Sequence, residues 1–311
     1  MSDDAKKTVY YKAFEKGLIC RGKQYQENTE YEEAGADECC KPGMMHFCEN
    51  PLDVLNYYPL IGDDGELSEF ATVEPLAEVK KGKDKCASRK IRIGVKLSLK
   101  GFIEAAVHVL IEKTKRDDPK NAASGYSSQL AASGNSSQLA ASGDYSQLAA
   151  SGDYSQLAAS GNSSQLAASG YSSKLAASGN SSKLAASGDY SQLAASGYSS
   201  QLAASGNYSQ LAASGYSSQL AASGNSSQLA ASGDYSQLAM SGKNSVGANI
   251  GICGKAKGAL GCWIVLAEWE HRDGEGWVPL CVKAGKIDGE TLKPDTWYKL
   301  ANGQFAEVDG R

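Results

Sequence analysis

Four residues within ten positions, Cys39, Cys40, His46 and Cys48, carry the thiolate and imidazole donors that zinc takes. Their spacing suits a tetrahedral site poorly: Cys39 and Cys40 are adjacent, and the chain holds no Cys-x-x-Cys pair. The expectation is no metal and no cofactor. Cys20, Cys86, Cys253, Cys262 and Cys281 then join these as free thiols, buried or half-buried, kept reduced in a cytoplasm. His108 and His271 have no nucleophile beside them in sequence, and there is no phosphate-binding loop, G-x-S-x-G or H-E-x-x-H motif, so no catalytic residue is assigned. Nine tyrosines recur through the middle of the chain: Tyr126, Tyr145, Tyr154, Tyr171, Tyr190, Tyr198, Tyr208, Tyr216 and Tyr235. Recurring phenols can stack on one another or offer an apolar body and a polar tip to a protein partner.

The spacing of these rings comes from a repeat. Leucine recurs every nine residues from Leu130 to Leu238, thirteen times without a slip, in the unit A-A-S-G-[DNY]-[YS]-S-[QK]-L. Nine residues match two and a half turns of an α-helix, but one leucine and one glycine per unit rule out a stable continuous helix. As a strand and a turn the unit makes sense. In Asp153–Gly161, alternation puts Ser155, Leu157 and Ala159 on one side and Tyr154, Gln156, Ala158 and Ser160 on the other. The first set faces in. Ser160-Gly161 and the next residue make the corner, with glycine expected to supply a positive φ. Nine residues cannot close a coil. Two units give an 18-residue, two-sided coil and three give a 27-residue triangle; serine, leucine and alanine are too small to fill a triangle, so 18 is expected. One tyrosine per corner predicts stacked rings along an edge, either covering the small core or forming a contact surface or dimer seam. Glutamine and serine are expected to form hydrogen-bonded ladders.

The chain is mainly β on this reading: a β-solenoid at 121–242, a degenerate terminal coil at 243–262 with bulkier filling, an N-terminal α+β head at 1–120 and a small C-terminal β cap at 263–311. The head ends in a helix capped by Ser98 and stopped at Asp117-Asp118-Pro119, with strands around Thr8–Phe14, Glu69–Val73 and Arg89–Val95 and a short helix from Pro51. The cap should pair a strand at Trp263–Trp269 with one at Trp277–Val282, with Trp263, Trp269 and Trp277 in its core. Caps are needed because open solenoid ends would stack on one another.

Charge excludes some partners. The formal net charge is -4, and residues 122–242 hold two basic and four acidic side chains, so no surface suits nucleic acid. No stretch is long and apolar enough for a membrane span, and the charged N-terminus does not read as an export signal. A cytoplasmic location follows as an expectation.

The G-x-x-S spacing, as in Gly152-Asp153-Tyr154-Ser155, resembles the β-rolls in heads of trimeric autotransporter adhesins and some phage tail fibres. The repeats are loosely similar to ice-nucleation repeats, but lack their Thr-x-Thr ladders. The whole layout is similar to a set of uncharacterised bacterial and prophage proteins. The shared segments are Gly43 to Leu55, with one extra residue between Gly43 and His46, the GDYS-type nonapeptides, and Gly261-Cys262-Trp263 to Ala267-Glu268-Trp269. That resemblance implies architecture and no activity. The expected function is a non-enzymatic repeat scaffold or protein-binding module, a phage or bacterial interaction or inhibitor protein that meets a partner or itself through a solenoid face. A second expectation is an enzymatic head with the solenoid as spacer: Tyr10, Arg21, His46, Tyr57 and Tyr58, with Glu74 as acid, are loosely similar to the early strands of ADP-ribosyltransferase-like folds. A third is an adhesin or tail-fibre-like structural module.

Overall fold

A computed structural model describes residues 8–34, 43–114 and 120–309. Cys39, Cys40 and Asp117-Asp118-Pro119 lie outside them. The chain forms two compact units, Met1–Pro59 with Ser68–Val109, and Leu60–Leu67 with Leu110–Arg311.

Each nonapeptide gives one four-residue strand, Gln-Leu-Ala-Ala in most copies. Alternate strands belong to alternate sheets. Sheet one runs from Lys120–Ala123 through Gln138–Ala141 to Val246–Asn249, and sheet two from Gln129–Ala132 through Gln147–Ala150 to Lys255–Gly258. Strands within a sheet pair in parallel at an offset of 18 residues, Leu139 on Leu157 and Leu157 on Leu175. The coil is therefore the 18-residue, two-sided one, stacked about eight times. Leucine and the second alanine of each strand point inward from both sheets and form one continuous core, with Leu148, Leu184 and Leu202 fully buried. The serine that opens each strand is buried too. From Ser128 to Ser227 its hydroxyl donates to the glycine carbonyl of its own corner, as Ser155 Oγ does to Gly152 O at 2.6 Å, and Ser236 and Ser245 donate instead to Gly215 O and Gly224 O of the preceding coil.

The corners differ from the expectation. The left-handed residue is the one two after glycine: Ser, Tyr, Asn or Cys from Ser127 to Cys253, with φ between 55° and 58°. Its amide donates to the next coil, as Tyr154 N–H does to Tyr171 O at 2.8 Å, which holds the residue in that conformation. Glycine serves another need. A Cβ on Gly188 would lie 2.1 Å from Gly170 O and 2.5 Å from its carbonyl carbon. Successive coils approach too closely at that point for any side chain.

The terminal coil is present, Val246–Asn249 and Lys255–Gly258, but its filling is not bulkier. Gly247 and Ala256 take the leucine positions. Met240 and the buried Asn249 occupy the space, the latter donating to Ser236 O and Lys255 O. Val246, Ile250 and Leu260 are exposed instead. Both sheets then continue into hairpins. Trp263–Arg272 adds to sheet one in parallel and pairs antiparallel with Gly276–Lys286; Trp297–Ala301 adds to sheet two and turns through Asn302-Gly303 into Gln304–Val308. Glu268 holds that turn by accepting the Asn302 and Gly303 amides at 2.7 Å each. The core under these hairpins is Cys262, Ile264, Leu266, Ile287 and Tyr298. The tryptophans predicted for it lie elsewhere: Trp263 and Trp277 are 45% and 49% exposed, and Trp269 donates its indole N–H to Ile250 O.

The first unit is an antiparallel sheet in the order Tyr10–Phe14, Glu69–Pro75, Lys90–Leu97, Glu30–Glu32. Asn50 caps the short helix Pro51–Asn56 by accepting the Leu52 amide. Ser98 caps Leu99–Thr114, accepting the Gly101 amide at 3.1 Å, and Phe102 of that helix stacks on Phe70.

Candidate interaction surfaces

The two sheets meet at two opposite edges, so the single tyrosine row expected from the sequence is in fact two. On the edge where sheet one passes to sheet two, Tyr198 stacks on Tyr216, while Tyr126 meets Tyr145 and Tyr216 meets Tyr235 with tilted rings, the centroids 4.9–5.2 Å apart. On the other edge Tyr154, Tyr171, Tyr190 and Tyr208 form one unbroken run, 5.0–5.9 Å apart. All nine rings are between 40% and 70% exposed. Tyr171 and Tyr216, flanked by a ring on both sides, have phenols held above the ordinary value by desolvation first and by their neighbours second. The exposed Cys253 occupies the equivalent corner after Tyr235.

The corner residue just after glycine varies for a reason. Where it is Asn or Asp, its Oδ1 accepts the amide of the same residue one coil on: Asn135 from Asp153, Asp153 from Tyr171, Asn180 from Tyr198. A tyrosine there gives up this acceptor and supplies a ring in exchange.

The outer faces of the sheets differ although their sequences match. On sheet two the outward alanines Ala149, Ala167 and Ala203 are buried, and Gln147 and Gln165 are 6% and 5% exposed. Gln129 donates to Gln147, and Gln201 to Gln219, which gives the expected glutamine ladder. Over its later rungs lies the segment Leu60–Leu67. The Leu60 amide donates to Gln201 Oε1 at 2.9 Å, Gln201 Nε2 donates to Ile61 O at 3.2 Å, and Gly65 packs its backbone on Trp297 beside Ala239. Lys257, in the outward alanine column, holds Glu66 at 2.7 Å and Asp295 at 2.9 Å. Burial alone would lower its pKa; the two carboxylates outweigh that and raise it. On sheet one the same glutamine and alanine columns are exposed, and two shallow grooves of about 1190 and 1130 Å³ run along either side of the alanines. The sequence reading missed this strap. The Gly62-Asp63-Asp64-Gly65 turn between apolar Leu60-Ile61 and Leu67 marked a tight loop, but nothing in it pointed to the solenoid.

In the first unit the polar residues go to separate partners. Tyr57 OH donates to Asp84, Tyr58 OH to Cys20 Sγ, and Glu74 pairs with Arg92 at 3.4 Å. Tyr10 packs edge-on against Phe47. His46 is half-buried; burial first, then the charges of Lys85, Lys12 and Arg21, lower its pKa. The buried Lys12 donates to His46 O and lies over the rings of Phe14 and Tyr25. Burial pushes the Cys48 thiol up to about 12, where it is neither a nucleophile nor a ready ligand. Among the described residues no three His, Cys, Asp or Glu side chains converge as a metal site, and no helix is long and apolar enough to cross a membrane.

No curated protein and no solved structure matches the chain. Residues 8–105, which contain the first unit's strands and the Leu60–Leu67 strap, match a family described as a domain of unknown function, DUF7666. Beyond it the chain is a β-solenoid of stacked coils.

Proposed function

We propose that this protein is a non-enzymatic scaffold whose solenoid presents tyrosine edges to a protein partner. The observation that carries the reading is the pair of half-exposed tyrosine runs on opposite edges, in a region whose exposed large hydrophobic side chains, from 122 to 242, are these tyrosines alone. Rings already ordered by stacking lose little freedom when a partner covers them, which favours them as contact residues. The scattered engagements of Tyr57, Tyr58 and Glu74 support a structural role for the first unit.

The test compares the native protein with Tyr154→Ser/Tyr171→Ser/Tyr190→Ser/Tyr208→Ser as baits in a lysate of the source organism. Serine already occupies the left-handed corner position on both edges, the position of Tyr154, Tyr190 and Tyr208, and the Tyr171 ring is exposed, so the variant should fold. A protein retained by the native chain and lost from the variant supports the reading. Equal retention by both would move binding off this edge. Release of nicotinamide from NAD by the purified protein, abolished by His46→Ala, would overturn the non-enzymatic assignment.

A further inference from the structure

The exposed outer face of sheet one has chemistry and shape of its own. Between Gln138 and Ala231 its six strands offer outward columns of glutamine, alanine and serine, with Lys174 as the one charge in the glutamine and alanine columns. The columns run in register without a bulge, and the alanine column lies between the two grooves. Beyond Gln228 the face changes. The glutamine column continues as Val246 and Trp263, 44% and 45% exposed, and Val282 pairs with Ala267 on the same side at 59% exposed. One end of the face is therefore a bulky ledge, apolar except for the exposed Lys286 beside Trp263, and the other is a small-residue floor.

We propose that this face is the interface of a homodimer, with a second copy packed on it in antiparallel orientation. A twofold axis lying along the strands inverts the solenoid direction, so the Trp263–Val246–Val282 ledge of each copy comes down over the alanine floor of the other. Side-by-side parallel packing would set ledge against ledge and hold the floors apart. The gradient in side-chain size is thus complementary to itself in one orientation, which is what a closed, isologous contact requires. Charge favours the same occupant. The molecule has net charge -4, yet this face carries little charge, Lys174 in the glutamine column and Lys286 beside Trp263, so two copies meet there with less repulsion than their other surfaces would impose. The area is enough for a specific contact. Ten strands about 4.8 Å apart and about 15 Å wide give roughly 650 Å² per copy, about 1,300 Å² in all. That lies at the small end of specific interfaces, which suits a reversible dimer. Sheet two shows how such columns behave when covered: Gln201 turns its amide to backbone groups of Leu60 and Ile61, and the alanines close against their neighbours. Glutamines across a dimer seam have the same capacity for each other.

The experiment is sedimentation velocity of the full chain across a micromolar concentration series, beside Ala194→Lys and Trp263→Lys. The first places a charge on the floor and the second on the ledge. Lysine is already accommodated in the equivalent outward alanine column at Lys257, and Trp263 is exposed, so both variants should keep the native circular dichroism. Expected is a monomer–dimer equilibrium in the native protein and a dimer weakened at least about tenfold in each variant. A native protein that stays monomeric throughout the series, or a dimer that persists in both variants, overturns the proposal. Tyr190→Ser, on the edge and outside the columns, should leave the equilibrium in place, which separates this contact from partner binding through the tyrosines.

Discussion

Gln192 and Gln201 hold the same position in consecutive repeats. Gln192 stands on sheet one in contact with solvent, while Gln201, one strand later on sheet two, hydrogen-bonds to Leu60, Ile61 and Gln219. Lys174 and Lys183 make the same contrast: the first is exposed, and burial lowers the ammonium of the second to about 8. Identical nonapeptides thus form two surfaces with different energetics. The difference is absent from the inward side, where leucine and alanine are buried equally in both sheets. A coil of two repeats lets one sequence satisfy one shared core while each outer face is free to take a different role.

The corners should ignore this asymmetry. A Cβ would meet backbone 2.1 Å away at Gly188, where sheet two passes to sheet one, and 2.2 Å away at Gly197 on the opposite edge. Gly188→Ala and Gly197→Ala are expected to destabilise alike, by more than about 3 kcal/mol, in urea unfolding. Gly125→Ala, in the first coil with only Ser128 Oγ nearby at 3.6 Å, should cost little by comparison. Unequal losses at 188 and 197 would break the symmetry of the corners.

The faces should respond differently to one substitution. Lys183→Gln restores the common residue at a covered site, and is expected to stabilise by about 2 kcal/mol at neutral pH. The sign follows from linkage. The folded-state pKa lies below the unfolded one, so the unfolded chain binds more protons between about 8 and about 10.4, and native stability rises with pH across that window. In Lys183→Gln this rise should vanish from the difference curve. Lys257→Gln removes the partner of Glu66 and Asp295 and should cost about 1–2 kcal/mol, a figure kept small by the exposure of Asp295. Its pH dependence has the opposite sign: a raised folded pKa gives stability that is complete below about 10.4 and fades as pH rises through the folded value. Lys174→Gln, on the open face, should shift the midpoint by less than about 0.5 kcal/mol. A large effect there would mean that sheet one is covered in solution, which the dimer would itself produce at high concentration.

The repeat was legible because its information is local and redundant. Thirteen leucines at a fixed interval set the strand, the inward face and, through side-chain volume, the two-sided coil. The role of glycine was misread because its need arises 18 residues away, at the carbonyl of the previous coil, and a single unit cannot display it. The tyrosine positions were read correctly but their division into two rows was not, since a corner's edge depends on whether its repeat is odd or even. Trp263 and Trp277 were placed inside by composition; register with Val246 and His271 sets them outside. The strap was invisible for the same reason as the glycine contact: Gln201 is 141 residues from Leu60.

The latch between Glu66 and Lys257 has a consequence for how this gene can change length. Every added or lost nonapeptide swaps the sheets for all that follows. A single insertion between Gln201 and Lys257 would carry Lys257 to the opposite face, away from Glu66, and would exchange the edges on which later tyrosines stand. Two insertions would restore the phase and merely lengthen the stack. The array should therefore grow and shrink in even steps, with parity as the inherited quantity and total length free to drift.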